Sequence, residues 1–425
     1  MQKRRDIIGI LILVTLAIVP LVFFPVGLDN FFTSPKLLVL RLIVIAYLFW
    51  IFNNRDRIDN FISTDWINRM LLLYFAWLVF STVFSISVSQ SILGNPYRYE
   101  GLATILLYFA LFLIARQQGT ISKKNIHWML LTGCVVVIYG ILQSYGMEFF
   151  PRDFIREKWV TPFSTIGNPN FLGTYIVLLL PFAVHLFIIE KKKIGLLIYA
   201  VLFYGLLTTM TRGTWIGAFI SVLLYLAILF KYRDRFKFTI IDIIILSIVT
   251  VICLVVFDIS TSGSFFLRFL SISQEIGKVI TGGENLELAG SYRMFIWLKT
   301  IELIKMRPLV GFGLENLHLA FEQYFAADII KVIGGPLIID RAHNEYLQIA
   351  VSSGIPALLI YITFVTLVIR KGVSRMLELP YAIPLLVAVS GYLVQAFFNI
   401  SVVAVAPIFW VFLGFLASSK PIETE

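Results

Sequence analysis

The chain has 425 residues, of which 59% are hydrophobic and only 14% charged, and its mean hydropathy is +0.89. A soluble domain carries about 25% charged residues, so this composition excludes a string of water-soluble domains. The formal net charge of +10 sits in short loops between apolar runs, a pattern of membrane topology that argues against a nucleic-acid partner.

A helix needs about 20 apolar residues to cross the hydrocarbon of a bilayer. Candidate spans run 7–28, 37–52, 70–88, 101–115, 126–146, 170–189, 194–210, 213–230, 238–257, 344–369, 379–397 and 400–418, about twelve in all. The first follows Lys3-Arg4-Arg5, as a signal peptide would. It is too long for a signal core and lacks a small-residue cleavage site, so it reads as an uncleaved helix. Cys134 and Cys253 lie inside apolar runs and read as small packing residues. No internal repeat recurs at a fixed period, so the inverted-repeat architecture of many transporters is not signalled.

Orientation follows from the Lys/Arg asymmetry of short loops. With the N-terminus inside, the inside segments hold 20 of the 35 cationic residues and the outside short loops hold six: Lys36, Arg98, Arg152, Arg156, Lys158 and Arg212. Both termini are therefore expected in the cytoplasm, and the long segment 258–342 outside it. The expected organisation is 1–257 for helices one to nine, 258–342 for an extracytoplasmic loop, and 343–425 for the last three helices and a cytoplasmic tail. Within the loop, residues 291–306 place Met294, Trp297, Leu298, Ile301 and Ile304 on one helical face and Lys299, Glu302 and Lys305 on another. Such a helix is expected on the membrane surface, over a cavity. Gly311-Phe312-Gly313 reads as a turn between this helix and a weaker one at 315–329.

The polar residues of interest gather on the outer side. Arg98, Arg212, Arg268 and Arg293 are guanidinium groups, which grip phosphates in bidentate fashion and stay charged at any relevant pH. Several around one cavity would make a diphosphate site; singly, each would serve as a headgroup anchor. Asp340-Arg341-Ala342-His343-Asn344-Glu345 stands where the loop re-enters the membrane. His343 can take a proton from a hydroxyl near neutral pH, with Asp340 and Asn344 in support; otherwise it caps or packs the helix start. His127, His185 and His318 read as structural. The outer carboxylates, Glu284 and Glu287 included, stand apart. No His/Cys spacing of a metal site and no phosphate-cradling glycine loop is present, so neither metal nor cofactor is expected.

These stretches resemble the O-antigen ligase family of bacterial membrane glycosyltransferases, which includes related O-antigen and polysaccharide polymerases. The resemblance is carried by Ile166-Gly167-Asn168-Pro169-Asn170-Phe171, Thr211-Arg212-Gly213-Thr214-Trp215, Ser291-Tyr292-Arg293-Met294-Phe295-Ile296-Trp297, Arg307-Pro308-Leu309-Val310-Gly311-Phe312-Gly313, and Ala342-His343-Asn344-Glu345-Tyr346-Leu347-Gln348 with Gly354 following. Their order agrees along nearly the whole chain. The resemblance implies an all-α integral membrane protein of the membrane-embedded glycosyltransferase (GT-C-like) type in the bacterial inner membrane. It implies transfer of a glycan from an undecaprenyl-diphosphate carrier to a sugar hydroxyl on the outer face, inverting and without metal. Arg212 and Arg293 match the family's diphosphate-binding arginines, His343 matches its essential histidine, and Arg268 is a looser match. The implied acceptor is a lipid A core or another surface polysaccharide for a ligase, and a second carrier-linked repeat unit for a polymerase. A transporter or flippase of lipid-linked oligosaccharides would use a similar basic cavity; the missing repeat symmetry and the one-sided polar cluster weigh against it.

Overall fold

A computed structural model describes residues 2–24, 30–54, 65–150, 161–263, 265–268, 270–271, 292–379 and 381–419. The loop cations Arg55, Arg57, Arg152, Arg156 and Lys158, the carboxylates Glu284 and Glu287, Ser291 and Lys420 lie outside the described residues. Among the described residues every regular element is a helix. In chain order they are α1 (Gln2–Leu13, continued by a π-turn to Ile18), α2 (Ser34–Phe52), α3 (Trp66–Val83), α4 (Val88–Leu93), α5 (Leu102–Gln118), α6 (Lys123–Ser144), α7 (Pro169–Ile188) and α8 (Lys193–Thr208). Then come α9 (Arg212–Lys231), α10 (Ile240–Ser260), α11 (Arg293–Met306), α12 (Leu317–Ile333), α13 (Glu345–Arg375), α14 (Ala382–Gln395) and α15 (Ala406–Ala417).

Seven of these, α2, α3, α6, α7, α9, α10 and α13, are long and apolar enough to cross a membrane. Five shorter apolar helices fall on the other segments picked out by hydropathy: Ile7–Ile18, Leu102–Gln118, Lys193–Thr208, Ala382–Phe398 and Ala406–Ala417. The chain is thus a multi-pass helical membrane protein.

The helix starts follow from local chemistry. The Asp65 and Ser122 side chains accept from the backbone N–H groups of Asn68 (3.0 Å) and Asn125 (3.1 Å), opening α3 and α6. The Gly-Asn-Pro-Asn stretch opens α7: the Asn168 side chain accepts from Asn170 N–H at 2.9 Å, and Pro169 occupies the first turn, where a missing N–H costs nothing. That stretch therefore builds a helix N-terminus.

α7 is the axis of the bundle. It packs on α8, α9, α14 and α6, and 94% of its apolar window is buried. α10 has the higher mean hydropathy, 3.1 against 2.2, yet only 17% of its window is buried, mostly against α8. Hydrophobicity here marks lipid contact, because lipid tails solvate apolar side chains as well as protein does. Small residues bring backbones together instead: a Cβ on Gly391 of α14 would lie 1.8 Å from Ser221 Oγ of α9.

The same rule applies to α11. The face that packs is Phe295, Ile296, Thr300, Leu303 and Ile304, against α13. Leu298 and Ile301, on the apolar face expected at the membrane surface, are 42% and 39% exposed.

Gly311-Phe312-Gly313 connects α11 to α12, as expected, and has a further role. The segment is more than a turn, because it completes a broken helix. α13 breaks at Gly354 (φ +85°, ψ +165°), two residues before Pro356. The groups freed there are met by Phe312 N–H to Val351 O (2.9 Å), Gly313 N–H to Ser352 O (2.8 Å) and Ile355 N–H to Pro308 O (2.7 Å). Trp77 Nε1 donates to Ser353 O at 3.0 Å, and Ser81 Oγ to Val310 O at 2.7 Å. A backbone break inside a helix long and apolar enough to span a membrane needs such partners. Gly354 is obligatory, since a Cβ there would sit 1.9 Å from Leu309 O.

Candidate active site at one end of the bundle

The up-and-down course of the helices brings the starts of α5, α7, α9, α13 and α15 to one end, with α11 and α12 beside them. Of the nine non-glycine residues with left-handed backbone among the described residues, five stand around this cluster: Tyr99 (φ +57°), Met210 (+54°), Tyr292 (+65°), Glu315 (+64°) and His343 (+51°). Such conformations are uncommon and gather at functional sites. Each lies in or beside one of the charged segments described next.

His343 sits on the loop before α13, and neighbouring elements hold every residue around it. Arg98 Nε donates to Asp340 Oδ2 at 2.9 Å, while the Arg98 guanidinium lies 5.5 Å from the Phe171 ring centroid. Arg341 is buried between Glu315 and Glu100, the latter at 3.5 Å. Ala342 N–H donates to Gln348 Oε1 and Ala342 O accepts from Trp297 Nε1, both at 2.9 Å. Asn344 Oδ1 accepts from Leu347 N–H at 3.1 Å and caps α13.

The electrostatics of this loop decide the protonation of His343. Burial, with the positive charges of Arg293, Arg98 and Arg341 outweighing Asp340, lowers its pKa to about 4. The imidazole is therefore neutral at physiological pH, with a lone pair for a proton. Burial alone would raise the Asp340 carboxyl, but Arg98 and Arg341 outweigh it and hold the group below the usual carboxylate range.

Arg212 and Arg293 occupy equivalent places: each is the first residue of a helix, α9 and α11, and neither helix has a side-chain cap. An uncapped helix start presents N–H groups and the positive end of the helix dipole, a ready anion site. Trp297 of α11 packs on Phe397, Phe397 on Phe398, and Phe398 against Gly213, where a Cβ would come within 2.7 Å. The Phe397-Phe398 segment is tied to α7 by Asn399 Nδ2, which donates to Thr174 Oγ1 at 2.9 Å and to Asn170 O at 3.2 Å. Arg268 is exposed on the helical segment 265–268, whose Phe265 packs 5.2 Å from Trp215. Of the candidates chosen from sequence, the structure thus brings His343, Arg293, Arg98 and Asp340 together, with Asn344 adjoining. Arg212 stands across the Phe397-Phe398 bridge, and Arg268 is set apart beside α9.

Sequence reasoning missed Arg341, Glu100 and Glu315, although all three lie within or beside the short stretches it had marked. Their pairing joins residues 241 and 26 positions apart, which no local pattern encodes. Behind them lies a cavity of ≈ 80 Å³, bordered by Glu100, Arg341, Glu345, Gln348, Ser352 and Ser353. Among the described residues, no group of three or more His, Cys, Asp or Glu is arranged to hold a metal ion.

The fold and this cluster define a helical membrane protein with a basic, histidine-bearing site at one end of its bundle. Residues 196–362, from α8 into the second half of α13, match the family model described as O-antigen ligase. The resemblance of this chain to the O-antigen ligase family is thereby shown over the segment holding Arg212, Arg293 and His343. No curated protein matches the chain.

Proposed function

We propose that the protein is a glycosyltransferase that moves a glycan from undecaprenyl diphosphate to an acceptor sugar hydroxyl on the outer face of the bacterial plasma membrane. Both termini lie in the cytoplasm in this reading, and the helices number about twelve in a GT-C-like arrangement. The observation that carries it is a neutral histidine beside Arg293 and Arg98, at an end where α9 and α11 begin with arginine and without side-chain caps.

The chemistry is a single displacement. The acceptor hydroxyl gives its proton to His343 as its oxygen attacks the anomeric carbon. The bond from that carbon to the diphosphate breaks, and its electron pair leaves with the diphosphate, inverting the centre. Arg293, Arg212 and the two helix starts face the growing negative charge, and one preorganised donor of this kind is worth about 3–4 kcal/mol. The donor's own charge offsets Arg293 and Arg98, so His343 becomes more basic once the donor is bound. Arg98 and Asp340 hold the loop and set its charge, and Arg268 lies toward the donor's entrance. The arginines supply the positive charge that a divalent metal would otherwise bring, so the reaction is proposed to be metal-independent.

The test uses purified protein with EDTA, an undecaprenyl-diphosphate glycan and an acceptor such as a lipid A core. Release of undecaprenyl diphosphate, lost in His343→Ala, is the expected result. Full activity of that variant, or a strict need for added Mn²⁺, would overturn the mechanism. A single capped acceptor identifies a ligase, and a ladder of repeats identifies a polymerase of the same family.

A further inference from the structure

We infer that Arg341 is a positioning residue for His343: bridged between Glu100 and Glu315, it is an ionic lock that holds the catalytic loop in one geometry and takes no part in gripping the donor. The inference rests on the reading of His343 as the base.

Arg341 lies two residues from His343 but differs from the other arginines of the site. Its side chain is 7% exposed, and the side chains of Glu100 and Glu315 are 5% and 2% exposed, so the guanidinium offers a diphosphate almost no surface. Its charge is answered by carboxylates from two other segments. Glu100 precedes α5 and also accepts from Tyr108 OH (2.9 Å) and Ser401 Oγ (3.0 Å). Glu315 precedes α12 and also accepts from Asn95 N–H at 3.2 Å. Through one guanidinium the loop is therefore fixed to α5, to the segment before α15 and to the start of α12.

Packing does part of this job, since Ile339 and Ala342 are buried in the apolar cluster beside α11 and α12, but it leaves space around the guanidinium. The lock borders the ≈ 80 Å³ cavity, so the loop has room to shift when the guanidinium lets go. His343 also holds a left-handed backbone, φ +51°, a conformation that surrounding structure must impose on a non-glycine residue. A planar guanidinium needs its acceptor oxygens in defined places, so it fixes an orientation as well as a distance. Lysine at the same position keeps the charge and loses the fork.

The experiment compares the full-length protein with Arg341→Lys, Glu315→Gln and Glu100→Gln in detergent, by two readouts. Transfer kinetics give kcat and donor KM. Modification by diethyl pyrocarbonate at pH 7, followed by mass spectrometry, gives the exposure of His343, with the exposed His127 as internal reference. The lock predicts that Arg341→Lys lowers kcat about 10²-fold, the cost of a small misplacement of a catalytic group, with donor KM unchanged. It also predicts faster modification of His343 relative to His127 in Arg341→Lys and in either carboxamide variant. Unchanged modification of His343 overturns the lock, as does a donor KM that rises in step with the loss of kcat. The modification readout needs no turnover. A wild-type protein without transferase activity would sink the proposed function and leave the lock to be judged by exposure. Should Arg341→Lys fail to fold, the near-isosteric Glu315→Gln and Glu100→Gln decide by the same two measurements.

Discussion

Two parts of the site are built in opposite ways. The His343 loop is closed on every side: Asp340, Arg341, Ala342 and Asn344 each have a partner from another element or cap the next helix. The starts of α9 and α11, which carry Arg212 and Arg293, have no side-chain cap at all. The starts of α3, α6, α7 and α13 are capped by Asp65, Ser122, Asn168 and Asn344; α9 and α11 share their lack of a cap with α2, α5, α8, α12, α14 and α15, and what sets them apart is an arginine at the first helical position. A base needs fixed geometry, whereas an anion site needs donors left open for the ligand. Helix dipoles and guanidinium groups supply those donors without further machinery.

Substitutions on the two sides should separate these roles. The largest effect is expected for His343→Gln, which keeps the volume and removes the base; kcat should fall about 10²–10⁴-fold while donor binding, measured by titration, is kept. Arg293→Ala follows, with a loss of about 10²–10³-fold for one charge-stabilising donor. Unlike a change in the loop, it should also weaken binding of undecaprenyl diphosphate itself. If His343→Gln abolishes donor binding while Arg293→Ala spares it, the division is wrong.

The pH profile sharpens the contrast. His343 must be neutral to act, and its pKa is lowered to about 4. kcat/KM, which reports the free enzyme, should stay level down to about pH 4 and then fall about tenfold per unit. kcat reports the donor-bound enzyme, where the diphosphate's charge raises the imidazole, so its acid limb should lie at higher pH. A kcat/KM limb near 6.5, the ordinary histidine value, would show that the surrounding arginines do not act on the ring. The smallest effect belongs to Asn344→Ala. Losing that cap should cost about 1 kcal/mol of stability by thermal unfolding in detergent, with a modest loss of activity.

Much of this was legible along the chain. Apolar runs of bilayer length marked the helices, because a membrane leaves backbone groups no partner except within a helix. His343 and Arg212 stood out as polar residues at the ends of apolar runs, where a charge needs a reason, and Arg293 as an arginine of the long outer loop. Two things were not legible. The role of Gly311-Phe312-Gly313 was hidden, because the carbonyls it meets belong to a helix about 40 residues on in the sequence. The Arg341 lock was missed for the same reason.

Residue type and spacing by themselves determined that this is a helical membrane protein with a basic, histidine-bearing cluster at the junctions of its helices. Those properties depend on local composition and on the thickness of a bilayer. Only the tertiary structure decided which arginines face the histidine and which one is locked away with two carboxylates. It alone showed that α7, less apolar than α10, is the helix at the core. In a bilayer both lipid and protein welcome apolar side chains, so hydropathy separates membrane from water but not core from surface. Pairings between distant segments settle the rest.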